Sequence, residues 1–321
     1  MSATAEPAVK TSFRIRDVEF RNRVFVASGT FGYGDETRDL IDISRLGGIF
    51  TKSLSWKARD GNPPGRIVET AGGMLNSIGL ANIGVHRFIE EKLPKLRTCG
   101  TAVIANIAAS SVDEYADVLR LLEEQEGIAG YEINVSCPNV KEGGLNFGTS
   151  CERTGEITRR LRPLTNRPLI VKLTPNVTHV SEFARTVEGE GADAISLINT
   201  LIGMSVDVRT RRPRLSTVTG GLSGPAIKPV ALAKVYEAAR AVAIPVFGVG
   251  GITSAEDAIE FLLVGATAVQ VGTMNFVDPG ISATIAADMA TFARAQGVRD
   301  MNEFVGAVRA NPDASVIQSW L

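Results

Sequence analysis

Residues 131–140 read YEINVSCPNV. Tyr131, Ile133 and Val135 alternate with Glu132, Asn134 and Ser136, the two-residue period of a strand, and Pro138 lacks the donor needed to continue a ladder. The spacing predicts a buried strand that ends at Cys137. It places a thiol and the amide of Asn134 where strand gives way to loop. A free thiol in such a place either meets a ligand or packs as a small hydrophobe, and this stretch alone leaves the two readings even.

The same kind of apolar run recurs along the chain. Eight are found: VFVASG (24–29), GIFTKS (48–53), TAVIANI (101–107), YEINVSC (131–137), LIVKLT (169–174), AISLINT (194–200), PVFGVGG (245–251) and AVQVGT (268–273). Continuous Val/Ile/Leu runs suit parallel strands buried on both faces. Helical patterns separate them. Ser111 and Glu114 read as a capping box, Val112, Tyr115, Leu119 and Leu122 keep helical spacing, and Gly127 reads as the stop. Thr253 and Glu256 repeat the device, with Gly265 as the stop, and Asp278-Pro279 reads as the opening of the last long helix. A short hairpin, FRIRDVEFRN (13–22), turns at Arg16-Asp17 ahead of the first run.

Eight strand–helix alternations predict an α/β fold, a single (β/α)8 TIM barrel over residues 13–321, behind a flexible tail of residues 1–12. Two connections, 56–82 and 201–221, are too long for simple loops and read as lids over the barrel mouth. Within the second, MSVDVRT and RPRLSTVT suggest a hairpin. Its arginines, Arg209, Arg211, Arg212 and Arg214, read as a solvated turn rather than an anion site.

Composition narrows the function. A net charge of −1 with 44% hydrophobic residues in 321 excludes a polyanion-binding or tail-rich chain. The opening MSATAEPAVKTS lacks the basic start and apolar core of a secretory signal, and no run approaches the roughly 18 apolar residues of a membrane span. Three cysteines do not make a disulfide framework or a four-cysteine iron–sulfur site, so a cytoplasmic location is expected. Cys99 and Cys151 read as packing residues. His86 and His179 fall at helix starts without partners at metal-ligand spacing, and no metal site is expected.

In a barrel, the C-terminal strand ends carry the chemistry. The second to sixth runs each place one polar side chain there: Lys52, Asn106, Asn134, Lys172 and Asn199. A buried unpaired amide costs ~2–7 kcal/mol, so these groups need partners. A polar ligand supplies them, or a mutual network does, with Glu132 pairing Lys172 or Lys52; both can hold at once. The other three runs end in Ala27-Ser28-Gly29, Gly250-Gly251 and Gly272-Thr273, where backbone N–H groups can approach a phosphate. The Gly221-Leu222-Ser223-Gly224-Pro225 stretch offers a further amide. Together the two groups suggest a phosphate-bearing cofactor beside a small polar substrate.

NVSCPNVKEGGLNFGT, taken with ASGTFGYG, FTKSLS, NSIGLAN, VKLTPNV, INTLIG, GGLSGPAIKP, GVGGI and VGT in this order, closely resembles the catalytic subunit of class 1B dihydroorotate dehydrogenases. The likeness covers nearly everything after the first dozen residues. It implies an FMN-binding barrel that oxidises dihydroorotate to orotate in pyrimidine synthesis. It implies Cys137 as catalytic base and Lys52, Asn76, Ser77, Ile78, Gly79, Leu80, Asn134, Asn199 and Thr200 as substrate contacts. For FMN it implies Ser28, Lys52, Ser53, Asn106, Asn134, Lys172, Ile198, Gly224, Gly250, Gly251, Gly272 and Thr273. It further implies a homodimer docked to an electron-transfer subunit that carries FAD and a [2Fe–2S] cluster and passes electrons to NAD, a heterotetramer in all. The residue types suit the reaction: a base takes a proton from one carbon while a flavin takes a hydride from its neighbour.

Other readings remain distinct. A class 1A enzyme would use fumarate as acceptor, and a dihydropyrimidine dehydrogenase also places a cysteine on the loop after the fourth strand. KEGG and GGLSGPAIKP favour dihydroorotate. Lys172 on a central strand also suits a Schiff-base lyase acting on a sugar phosphate, and a passive flavin carrier is a third class. No strand–GxGxxG–helix unit for a dinucleotide is found. The ending DASVIQSWL has no functional account.

Overall fold

The computed structural model describes residues 8–37, 39–136 and 147–309. Eight parallel strands close into a barrel: β1 (Val24–Val26), β2 (Gly48–Phe50), β3 (Ala102–Ile107), β4 (Gly130–Asn134), β5 (Leu169–Lys172), β6 (Ala194–Leu197), β7 (Val246–Val249) and β8 (Ala268–Val271). They neighbour one another in chain order, and β8 pairs with β1 to close the ring. The (β/α)8 barrel expected from the alternation is the fold observed. Each strand is shorter than its apolar run; Lys52 and Asn199 lie past the strand ends, whereas Asn106, Asn134 and Lys172 stay in the ladder.

Alternation along the strands sorts side chains into two shells. Val24, Val26, Ile49, Val103, Ala105, Tyr131 and Ile133 pack outward with the buried faces of the helices. One such face, on Val112–Glu123, carries Tyr115, Ala116, Val118, Leu119 and Leu122. Inside, Phe25, Phe50, Ile104, Ile170 and Phe247 fill the N-terminal end. The hairpin Phe13–Ile15/Val18–Phe20 turns at Arg16 and plugs that end with Phe13, Ile15 and Phe20. Burying each phenylalanine contributes roughly 1.5–3 kcal/mol. Lys10, inside the stretch read as a tail, forms a bridge to Asp300.

The two long connections meet in one four-stranded antiparallel sheet, ordered Leu201–Gly203, Gly220–Ser223, Gly73–Asn76, Ile67–Thr70. Neither connection is a loop in its own right; each supplies half of a roof. The expected hairpin within the second is reduced to Val206–Asp207 against Arg212–Pro213, because the chain turns straight after Asp207, whose carboxylate accepts from the Arg209 and Thr210 N–H groups. Gly73 sits so close to the neighbouring strand that an added Cβ would run into the Ser223 carbonyl oxygen. Gly73→Ala is therefore expected to destabilise the protein by roughly 1–3 kcal/mol, in the usual range for a local backbone clash. A thermal melt unchanged from the parent would show that the roof yields without cost.

Three local readings are corrected. Ser111 does cap its helix, but Glu114 bonds Ser110 instead of closing a reciprocal box. The second box is Ser254/Asp257, one residue later than Thr253/Glu256, because the Asp257 carboxylate gathers the Ser254 N–H together with the Thr253 N–H and hydroxyl. The last long helix is Ile281–Ala295, and Asp278-Pro279 lies in the turn ahead of it. Among the described residues no helix is long and apolar enough to cross a membrane.

Candidate active site

The barrel mouth and the roof sheet enclose a cavity of about 410 Å³. Its walls come from the ends of seven of the eight strands and from both long connections. From β2 it receives Lys52 and Ser53, from β4 Asn134, from β5 Lys172, and from β6 Ile198, Asn199 and Thr200. Ser28 follows β1, Gly250 and Gly251 follow β7, and Gly272 and Thr273 follow β8. The roof contributes Asn76, Ile78, Gly79, Leu80 and Gly224.

Hydrogen bonds fix these groups from behind. Asn134 Oδ1 accepts from Ser136 Oγ at 2.8 Å, and Asn199 Nδ2 donates to the same hydroxyl at 2.6 Å, so one serine ties two asparagines together. The Tyr115 hydroxyl donates to the Asn134 carbonyl at 2.8 Å, pinning the end of β4 to its helix. Lys172 Nζ donates to Ser28 Oγ at 3.2 Å and stands 3.8 Å from Glu132. Burial depresses the Lys52 ammonium below the usual lysine value; Glu36 opposes that and Arg66 adds to it. An anionic group beside Lys52 therefore favours its charged form.

The glycine side is built for close approach. Gly250 and Gly251 hold φ of +129° and +75°, which a side chain resists, and a Cβ on Gly251 would run into Lys228 at the start of Lys228–Ala239. Behind them Lys228 Nζ donates to Asp257 at 2.6 Å. Burial alone would raise the Asp257 carboxyl, but Lys228 and Thr253 outweigh it and hold the group below its ordinary range. Thr273 Oγ1 donates to Ser223 Oγ at 2.8 Å, fastening the loop after β8 to the roof.

Two expected site residues do not reach the cavity. Asn106 is fully buried inside the barrel, where Nδ2 bonds Glu132 at 2.5 Å. Ser77 is 1% exposed and turns away from the cavity, its backbone tied to Arg66 and Asn62. Cys137 lies outside the described residues, as does the KEGG stretch that follows it. Sequence reasoning missed Thr30, Met74, Ile227, Ile252, Met274 and Phe276, which also line the walls. It also missed Asn82, which donates to the Leu80 carbonyl at 2.8 Å and to Ser55 Oγ at 2.8 Å, and so holds the 76–80 loop to the end of β2. The signal was present as the last letter of NSIGLAN.

The remaining landmarks take plain roles. His86 packs edge-on against Trp56 at 4.8 Å, and His179 occupies a helix N-cap without a side-chain cap bond. Cys99 and Cys151 are free and half-buried. Among the described residues no cluster of His, Cys, Asp or Glu is placed to hold a metal ion.

A parallel barrel whose mouth sets a glycine cradle beside converging lysine and asparagine side chains defines a cofactor-dependent barrel enzyme. Within that class the chain belongs to the dihydroorotate dehydrogenase family, whose model matches residues 10–292. It is 52% identical over 297 residues to a Geotalea uraniireducens (strain Rf4) protein named dihydroorotate dehydrogenase B (NAD(+)), catalytic subunit, covering 92% of this chain and 97% of that protein. A Porphyromonas gingivalis (strain ATCC BAA-308 / W83) protein of the same name is 49% identical over 301 residues, covering 94% and 98%.

Proposed function

We propose that this chain oxidises (S)-dihydroorotate to orotate in pyrimidine synthesis, with FMN as its cofactor and Cys137 as its base. The observation that carries the reading is one cavity in which Lys52, Asn76, Asn134 and Asn199 converge beside the Gly250–Gly251 and Gly272 cradle. The residues fit FMN. A Cβ built on Gly272 meets nothing nearer than the Ala27 Cβ at 3.7 Å, so backbone there is open to a ligand, and the Gly250–Gly251 turn supplies donors for a phosphate. Ser28, Ser53, Gly224 and Thr273 add polar edges on the same side, and Ile198 adds an apolar wall.

FMN, when bound, accepts the hydride removed from the substrate. The chain does the rest. Asn76, Asn134, Asn199 and Thr200 pair with the donors and acceptors of a planar cyclic imide, with Ile78, Gly79 and Leu80 closing over it. Lys52 binds the substrate carboxylate, and Lys172 places positive charge where negative charge arrives. Cys137 removes the proton from the neighbouring carbon. Asn106 and Ser77 act from behind the site. Anaerobic mixing with dihydroorotate tests the reading: the protein should be yellow and should bleach. Bleaching by dihydrouracil alone would make it a dihydropyrimidine dehydrogenase, and colourless protein would favour the Lys172 lyase.

The same reading extends to partners. The chain works as a cytoplasmic homodimer docked to a subunit that carries FAD and a [2Fe–2S] cluster, and electrons leave to NAD. In support, the relatives are named NAD(+)-linked catalytic subunits. The isolated chain should be reduced rapidly by dihydroorotate but turn over poorly with NAD, and co-expression with such a subunit should restore NAD-linked turnover. Efficient turnover of the chain alone with fumarate would support a class 1A mode, and efficient NAD reduction without a partner would defeat both.

A further inference from the structure

Beneath the cavity the barrel holds a carboxylate that the chemistry above leaves unused. Glu132 is 0% exposed on β4. Its Oε1 accepts from Ser196 Oγ at 2.6 Å and from Gln270 Nε2 at 3.0 Å, while Oε2 accepts from Asn106 Nδ2 at 2.5 Å. Its ion partner is Lys172, at 3.8 Å. Lys172 is 4% exposed, and its hydrogen bond to Ser28 Oγ is to a neutral group. A buried ammonium is expensive unless a countercharge stands beside it.

The surrounding amides show what occupies position 132. Asn106 and Gln270 both turn their NH2 groups to Glu132, which leaves Asn106 Oδ1 and Gln270 Oε1 buried without a partner. Two orphaned amide oxygens are tolerated only where the two donors serve a strong acceptor, and a carboxylate is one. We propose that Glu132 is the positioning residue for Lys172: its carboxylate is the countercharge that holds the Lys172 ammonium beside the cavity, and it would thereby set the electron affinity of a flavin bound there. The second half rests on the FMN reading. The first half rests on the barrel interior alone.

Glu132→Gln and Lys172→Met, singly and together, test both halves. The amide at 132 is accommodated if Asn106 or Gln270 flips and offers its orphaned oxygen. In the FMN-loaded chain, Glu132→Gln should lower the midpoint potential in the direction that Lys172→Met does, and the double variant should fall no further than Lys172→Met. A rise in potential would mean that Glu132 acts on the flavin by its own charge and not through Lys172, and no change would mean that the pair does not reach the flavin; either overturns the proposal. Thermal melting of the FMN-free chain is the second readout. The double variant should melt above Glu132→Gln, since it removes the buried amine left without its countercharge, whereas additive losses would overturn the pairing. Should Glu132→Gln not fold, Glu132→Asp, which draws the charge back by one methylene, should give a smaller fall in potential, and an unchanged potential would again overturn it. A parent chain that holds no FMN would refute the cofactor reading instead, and the melting comparison would still decide the pairing.

Discussion

Cys137→Ala is expected to retain FMN and to bind orotate, yet to reduce its flavin with dihydroorotate roughly 10²- to 10⁴-fold more slowly, the contribution of a positioned base. The expectation follows from where the residue falls in the chain. Three residues before it, Asn134 ends β4 in the cavity, and Ser136, 4% exposed, is locked between Asn134 and Asn199. Asn134, Ser136 and Asn199 thus form a fixed frame up to the residue before Cys137 in the chain. Removing the thiol leaves the frame, and so binding, in place. Cys137→Ser should recover only part of the loss at neutral pH, because an alcohol gives up its proton far less readily than a thiol. Stopped-flow reduction at the parental rate in Cys137→Ala would take the base assignment away from this residue.

Phe247→Ala should have the largest effect on stability, about 3–5 kcal/mol. Phe247 is 0% exposed at the closed end of the barrel. Its ring stands edge-on to Phe25 at 5.2 Å and to Phe50 at 5.4 Å, and Phe13 of the plugging hairpin reaches it at 6.1 Å. Three of these rings come from different barrel strands and the fourth from the hairpin, so no single backbone shift closes the gap. Denaturant unfolding would measure the loss. A change within about 1 kcal/mol would show that the floor repacks around the vacancy, as tolerant cores do.

The site was legible in the sequence to an uneven degree. Lys52, Asn134, Lys172 and Asn199 were visible because a polar residue ending an apolar run in a barrel has few places to go. Asn106 met the same description and yet points into the closed interior, because residue alternation gives the face of a strand and not its depth along the barrel axis. Ser77 failed for a related reason. It was carried along with its neighbours Asn76 and Ile78, but adjacent residues in extended chain point to opposite sides, and its backbone bonds to Arg66 and Asn62 fix the outward side. The shift of the second capping box from Thr253 to Ser254 shows the same limit: either residue can cap, and the Lys228 ammonium holding Asp257 helps decide which does.

What the sequence by itself determined was the set of local decisions: eight apolar runs, the helices between them, the turn at Arg16-Asp17 and the polar residue near the end of the second to sixth runs. These depend on neighbours a few positions away, and periodicity and turn chemistry record them directly. Only the tertiary structure decided how residues distant in the chain share space. It joined residues 67–76 to residues 201–223 in one roof sheet, and it gave Lys172 to Glu132 rather than leaving Lys52 as an equal partner. It also lined the cavity with Thr30, Met74 and Phe276. Those contacts follow from strand register around a closed ring and from the length of two connections folding back over it, and no local pattern encodes either.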